Sequence, residues 1–148
     1  MPKLSTYSFT DINATISHPS YGSYTIQGEG IGDMTISKTT DRSAHDVAAD
    51  GAIMVSKIAG NNGSVAINAQ QTSSLHQFLQ GMFNYCWSAD TDEWAQISLT
   101  ITAPKMGKTY YCTGGSFNKE PDEPFQSQGQ RVSWNLLFAD VQRIQLQV

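Results

Sequence analysis

The sequence predicts a mainly β domain, built as a β-sandwich or a barrel-like sheet with one packed α-helix. Apolar and polar residues alternate in three long segments, residues 64–70, 97–103 and 132–138, as they do in strands that bury one face. One segment between them has helical spacing, and the order strands, helix, strands is typical of a helix packed across a sheet. The length of 148 residues predicts a single domain, residues 1–148.

Turn-forming residues separate the predicted strands. Residues 60–63, Gly-Asn-Asn-Gly, tolerate positive φ, so we expect them to close a hairpin between residues 52–58 and 64–70. The turn at 104–107 should close a second hairpin, and Gly114-Gly115 and the Pro121–Pro124 stretch should break the chain before the last strand. Weaker alternation predicts the remaining strands around residues 7–17, 24–27, 31–39, 52–58 and 109–113.

The helix is predicted at about residues 73–89. Its apolar residues recur every three or four positions and form one stripe, which we expect to be the core face of the helix. A Ser or Thr at positions 72–74 can cap its start. The stripe consists of Leu75, Phe78, Leu79, Met82 and Phe83.

Residues 40–51 fit neither period and are predicted to be a long hairpin loop between two strands. Loops of this length in compact domains are usually functional or disordered. His45, Asp46 and Asp50 could be imagined as an acid–base or metal cluster, but no partner of catalytic spacing accompanies them. We interpret the segment as a solvated or interface loop.

The remaining motifs do not predict an enzyme. The glycine-rich residues 28–32 are not followed by a helix, and Gly107-Lys108-Thr109 lacks both the upstream glycine and the helix of a phosphate loop. The acidic residues 90–93 and 120–123 lack the ligand spacing of a calcium loop. We therefore expect no catalytic residue, no cofactor and no metal. No apolar run suggests a signal peptide or a membrane span.

Four histidine and cysteine positions have simpler interpretations. His18 precedes Pro19 and is interpreted as a turn residue, and His76 lies off the apolar stripe, so it should be exposed or at an interface. Cys86 and Cys112 are too few and too far apart for a disulfide framework or a zinc site, and we interpret both as reduced thiols.

Low charge is the unusual feature of the composition. Asp, Glu, Lys and Arg make up only 15% of the chain, against about 25% in typical soluble domains. A polar but weakly charged surface costs less to bury against copies of itself than a charged one, which favours self-association. The net charge of −4 argues against a protein that binds nucleic acid by neutralising phosphates.

Several runs in the chain resemble one family. The runs at residues 7–16, 44–51, 55–63 and 70–75 and the turn at 104–108 resemble the tail-tube protein family of contractile-tailed bacteriophages. The resemblance extends over about residues 7–140. It implies a β-sandwich with a flanking helix, a structural protein without catalytic activity.

The resemblance also implies an assembly. Members of this family form hexameric rings that stack into the inner tail tube, the conduit for DNA ejection inside a contractile sheath. The implied partners are further copies of the chain, the sheath protein, and the baseplate and tail terminator proteins. Double-stranded DNA would pass without specific binding, and there would be no membrane anchoring. The protein would be part of the virion and would be assembled in the cytoplasm of the host bacterium.

Two sets of residues follow as candidates for this assembly. A lumen that passes DNA should carry little positive charge, which fits the polar faces of two predicted strands. The hairpin loop could reach the next ring. The lumen candidates are Asp33, Thr35, Ser37, Asn68 and Gln70. The inter-ring candidates are Asp41, Arg42, Ser43, His45, Asp46 and Asp50.

Two alternatives remain open from the sequence. The first is another structural subunit of the virion, such as a tail-completion or decoration protein. The second is a carbohydrate-binding β-sandwich module, in which aromatic side chains stack on sugars. The aromatic candidates are Tyr21, Tyr24, Trp87, Trp94, Tyr110 and Tyr111.

Overall fold

A computed structural model describes Leu4, Ser8, residues 11–26 and residues 31–145. In the last range, the side chains are described from residue 33 onward. The predicted mainly β class with one helix is confirmed, and all strand pairs are antiparallel. Residues 7, 9, 10 and 27, at the ends of two predicted strands, lie outside the described residues. The elements are β1 Asn13–His18, β2 Gly22–Ile26, β3 Ile31–Lys38, β4 Ser43–Val47, β5 Ile53–Lys57, β6 Gly63–Gln70, α1 Ser74–Ser88, β7 Ile97–Ala103, β8 Lys108–Phe117 and β9 Arg131–Gln145.

Seven strands form one sheet in the order β2-β1-β7-β8-β9-β6-β3, and β4 and β5 form a separate pair. Met34 and Ile36 of β3 line the same cavity as Ile101 and Ala103 of β7, although β8, β9 and β6 lie between these strands in the sheet. The sheet is therefore curled, with β3 facing β7. The described strands do not close into a barrel, because β2 and β3 are edge strands that do not pair with each other.

Helix α1 covers the inner face of the curled sheet. Ser73 caps it, since its Oγ accepts a hydrogen bond from the backbone N–H of His76 at 3.2 Å, as capping serines do. Leu75, Leu79 and Met82 are fully buried. Phe78 and Phe83 pack half-buried against the same core. One apolar stripe thus docks the helix.

The core contains the alternating residues of the three long strands. Trp134 and Phe138 of β9 are among its largest buried side chains, together with Ile67 of β6. Cys86 and Cys112 are both free and buried. Burial raises the pKa of the Cys112 thiol to about 11, and burial also raises the pKa of the Cys86 thiol. Both thiols therefore stay protonated near neutral pH.

Strand β8 runs straight through the glycines that were expected to end it. Gly114 has a φ of +66°, a conformation that favours glycine, and a Cβ there would lie 2.9 Å from the Cβ of Ala139. Tyr110 and Cys112 face the core before this point, and Phe117 does after it. The break predicted at the glycines is wrong, because Gly114 shifts the alternation inside a strand that continues, as bulges do. The break predicted at Pro121–Pro124 is confirmed, since β8 ends at Phe117 and β9 begins at Arg131.

The predicted turn at residues 104–107 is confirmed, whereas the hairpin predicted at residues 60–63 is wrong. Residues 104–107 do close the hairpin between β7 and β8, with Gly107 in the left-handed region. Strand β5, however, pairs with β4, while β6 pairs with β3 and β9. The segment predicted as a loop at 40–51 therefore contains β4. All five residues of β4 are exposed. The strand therefore has no buried face, and its sequence lacks the alternation of apolar and polar residues that predicts a strand.

Strands β4 and β5 form a two-stranded ribbon that continues the β3–β6 pair beyond the sheet. Five residue pairs join the two strands, from Ser43↔Lys57 to Val47↔Ile53. The backbone N–H of Ile58 donates to the carbonyl of Arg42 at 2.9 Å, so the strands meet at the base of the ribbon. Every residue of β4 and β5 is exposed.

Polar side chains hold the base of the ribbon to β9. Asn61 Nδ2 donates to Asp140 Oδ1 at 2.6 Å, and Lys38 Nζ donates to Asn61 Oδ1 at 2.6 Å. Arg42 donates to the same Oδ1 and to the carbonyl of Gly60. The pKa of Lys38 is lowered by burial and then by the positive charges of Arg42 and Arg143. Asn61 is the centre of this network.

Truncating the core face of the helix should cost much more stability than truncating its exposed face. We expect Leu79→Ala to lower the free energy of unfolding by about 2–5 kcal/mol, because it leaves a cavity under α1. Gln77→Ala, on the exposed side of the same helix, should change it by less than about 0.5 kcal/mol. Urea denaturation followed by tryptophan fluorescence measures both. Equal losses would mean that α1 is not packed as described.

Removing the Asn61 side chain should loosen the ribbon more than the body. Asn61→Ala deletes the hydrogen bonds to Lys38, Arg42 and Asp140, and a two-stranded ribbon is marginal by itself. Amide hydrogen exchange in β4 and β5 should accelerate several-fold, while the unfolding free energy of the body falls by about 1–2 kcal/mol. Asn84→Ala on the surface of α1 is the matched control. Equal exchange in β4 and β5 of both variants would contradict this role.

Candidate assembly interface

The lumen candidates lie on the outer face of the curled sheet. Cross-strand pairing places Asp33 opposite Asn68 and Thr35 opposite Ala66, and directly opposite residues project to the same face. Asn68 Nδ2 donates to Asp33 Oδ1. Gln70, at the end of β6, is opposite Arg131 of β9. The register thus brings the predicted residues together on one face.

This outer face is polar along its other strands as well. Thr15 of β1 is opposite Thr100 of β7, and the hydroxyls of Ser17 and Ser98 are 2.8 Å apart. By register, the described charged residues on the face are Asp33, Arg131 and Asp140. Hydroxyl and amide groups are therefore the commonest on the face, its described charges nearly cancel, and Tyr111, Leu137 and Ile144 are its exposed large apolar or aromatic side chains.

The inter-ring candidates all lie in or beside the ribbon. Asp41 and Arg42 precede β4, which contains Ser43, His45 and Asp46. Asp50 lies in the turn at the tip, where its Oδ1 accepts from the backbone N–H of Ala52 at 3.0 Å.

The ribbon also carries an apolar face, which the sequence analysis did not identify. The register places Val47 beside Ile53 and Val55 beside His45 on one side. Val47, Ile53 and Val55 are 63%, 58% and 61% exposed. Apolar side chains this exposed, and adjacent, are a feature of surfaces that bind partners. The signal was present as Ile53-Met54-Val55, but this segment was predicted as a strand paired with residues 64–70.

The two buried histidines make structural contacts. His18 Nδ1 accepts from the backbone N–H of Ser20 at 3.1 Å, which fits the predicted turn role. The expectation that His76 is exposed or at an interface is wrong, because it is 6% exposed inside the subunit and its Nδ1 accepts from Trp134 Nε1–H at 3.0 Å. Its Nε2 lies 2.8 Å from Glu123 Oε1. His76 therefore joins α1, the core and the segment before β9.

The described residues contain no group of three or more His, Cys, Asp or Glu side chains that could hold a metal ion. In the predicted glycine motif, residues 28–30 lie outside the described part. Helix α1 is also neither long nor apolar enough to span a bilayer, within the part of the chain that the structure describes.

The aromatic residues proposed for sugar stacking are dispersed. Tyr21 and Tyr24 both contact Phe78 against the core, and the ring of Tyr110 lies under Arg143 at 5.3 Å. Trp87 and Trp94 contact each other edge-on at 69°, so they do not form a flat platform for a sugar ring. This geometry does not favour the carbohydrate-binding alternative.

Solved structures of injection machines have the same fold. A chain of the anti-feeding prophage baseplate, solved with six-fold symmetrisation, covers 100% of both chains with a TM-score of 0.62 and 9% identity. A chain of the anti-feeding prophage cap that terminates the tube covers 99% of this chain and 95% of its own, with a TM-score of 0.63 and 4% identity.

A third similar structure contains a sheath. A chain of the sheath–tube complex of an extracellular contractile injection system, in the extended state, covers 90% of this chain and 88% of its own, with a TM-score of 0.56 and 8% identity. No curated protein matches the sequence. The family described as Bacteriophage PhiTE tail tube protein matches residues 4–145. With this match over nearly its whole length, the chain belongs to that tail tube family and is a structural, non-enzymatic component of a phage tail.

Proposed function

We propose that this tail tube protein forms hexameric rings that stack into the inner tube of a contractile tail, through which DNA is ejected. The observation that carries the proposal is that the curled sheet has two edge strands, β2 and β3. Among the described residues, each of them has a strand neighbour on one side only. The six-fold symmetry applied to the similar baseplate structure supports the number six.

Unpaired sheet edges favour pairing with another copy. Native proteins usually protect such edges with charges, prolines or covering loops. The five residues of β2 contain no charge, and the side chains described in β3 include only Asp33 and Lys38 as charged groups. A contact between two different edges is heterologous, and repeating it closes a ring when the rotation allows.

The outer face of the sheet is suited to line a bore that carries DNA. Phosphate binding depends on Lys and Arg side chains, each of which releases counterions from DNA. Asp33 and Asp140 on this face outweigh Arg131, so the face offers DNA hydrogen-bonding groups and no net attraction. Asp33, Thr35, Ser37, Asn68 and Gln70 would then project into the lumen.

The ribbon would make the contact between successive rings. Its residues are exposed along both strands and its base is fixed to β9 by the Asn61 network. The sheath protein, the baseplate and the tail terminator are the further proposed partners, in line with the assemblies that contain the similar structures. Assembly in the host cytoplasm precedes incorporation into the virion.

Electron microscopy of the purified protein tests the proposal directly. At high concentration, with and without a baseplate preparation as a seed, we expect hollow six-fold rings and tubes. Growth that stops at one ring would favour a tail-completion or decoration role. A subunit that remains single under both conditions would contradict assembly altogether.

Removing the ribbon should separate folding from stacking. Because Ile58 N–H already bonds the carbonyl of Arg42, residues 43–57 can be replaced by an Asn-Gly turn without straining the base. We expect a folded subunit, with an unfolding free energy within about 1 kcal/mol of the original, that forms no tubes. Denaturation and electron microscopy measure the two properties. Long tubes made by this variant would exclude the ribbon from stacking.

Adding positive charge to the outer face should make the tube hold DNA. Thr35→Lys would place one cation per subunit on the face, and we expect tubes of this variant to retain at least about tenfold more short duplex DNA at low salt. Thr35→Gln is the neutral control. Co-sedimentation at increasing salt measures retention. A tube structure with Lys and Arg along the whole bore would contradict the proposed lumen.

A further inference from the structure

An apolar groove of about 320 Å³ opens at the mouth of the curled sheet. Its floor is formed by Met34 and Ile36 of β3 and by Ile101 of β7, and Ile12 and Met106 lie at its edge. Met106 is 44% exposed, so the groove is accessible from solvent. Among the described residues, those of helix α1 do not line it. An open apolar groove of this kind can bind an apolar partner.

The rim of the groove is basic. Lys108 and Arg143 line it, and Arg143 lies over the ring of Tyr110 at 5.3 Å, a cation–π contact that leaves the charge free to meet an anion. Within the described part of the chain, neither side chain is in an ion pair with a carboxylate.

The tip of the ribbon has the complementary properties. Val47, Ile53 and Val55 form its exposed apolar face, whereas Asp46 lies beside Met54 on the opposite face. Asp50 is the charged residue of the turn between the two strands, and it is in no ion pair among the described residues. The exposure of the apolar face also means that the ribbon does not fill the groove of its own chain.

We infer that the groove at the mouth of the sheet receives the ribbon tip of a second copy of this chain. The apolar face enters the groove, and Asp50 in the turn approaches Lys108 and Arg143. The inference rests on the proposed self-assembly and specifies which surfaces meet. A ribbon tip buries much less than the roughly 1,200 Å² of a stable pairwise interface. The contact is therefore weak for a single pair of subunits and becomes strong when it is repeated around a ring, where many weak contacts act together.

Disulfide trapping between two single variants tests the contact without requiring tubes. Val55→Cys and Met106→Cys are mixed under mild oxidation, and the native Cys86 and Cys112 are buried. We expect the mixture to give at least about fivefold more disulfide-linked dimer than either variant alone. Val55→Cys mixed with Ser133→Cys, on the outer polar face, is the matched control. Equal dimer yields in the two mixtures would overturn the inference.

Charge reversal tests the same contact in the assembled state. The variants D50K and K108E/R143E should each reduce tube mass by at least about tenfold, because like charges then meet at the rim. Combining the three substitutions in one chain should restore assembly. Tubes formed normally by both variants, or no rescue in the combined variant, would assign the ribbon to another surface.

The two proposals can fail separately. Tubes of the original protein with no Val55–Met106 cross-linking would refute the groove contact and leave the tube proposal standing. Cross-linked dimers from a protein that never grows beyond one ring would support the groove contact and refute stacking into a tube.

Discussion

Helix α1 and the curled sheet bury each other's apolar faces, and this packing determines which surfaces of the subunit remain exposed. Leu75, Leu79 and Met82 meet the inner face of the sheet. Because the helix occupies the inner face, the outer face must meet solvent or another molecule. Because one helix covers only part of the curl, the mouth near Ile101 stays open. The polar face, the groove and the ribbon therefore follow from one packing arrangement.

The core depends on one buried polar contact that sequence pattern could not reveal. His76 lies off the apolar stripe of α1, yet it accepts the indole hydrogen of Trp134 and contacts Glu123. A buried indole N–H without an acceptor would destabilise the core, so the histidine satisfies a group from a strand 58 positions away in sequence. Hydropathy describes each residue by itself and contains no information on such partners.

Elements with one buried face were predictable, and fully exposed elements were not. Residues 64–70, 97–103 and 132–138 alternate because one side packs in the core, and α1 has its stripe for the same reason. The ribbon has no buried side, so β4 gave no signal. The hairpin predicted between β5 and β6 was wrong, because the Gly-Asn-Asn-Gly run has turn chemistry but serves as the base of the ribbon. Alternation alone did place Asp33, Thr35 and Ser37 on one face. It could not predict the groove, because the groove is lined by residues from strands that are distant in sequence.

The full exposure of β4 and β5 has an evolutionary consequence. Since no side chain in these strands supports the core, substitutions there cost the isolated subunit little stability. Natural selection can then act on this segment through its contacts alone, without the compromise that buried positions impose. Related chains should therefore diverge in the ribbon together with whatever surface receives it, while the body that carries it changes slowly and independently.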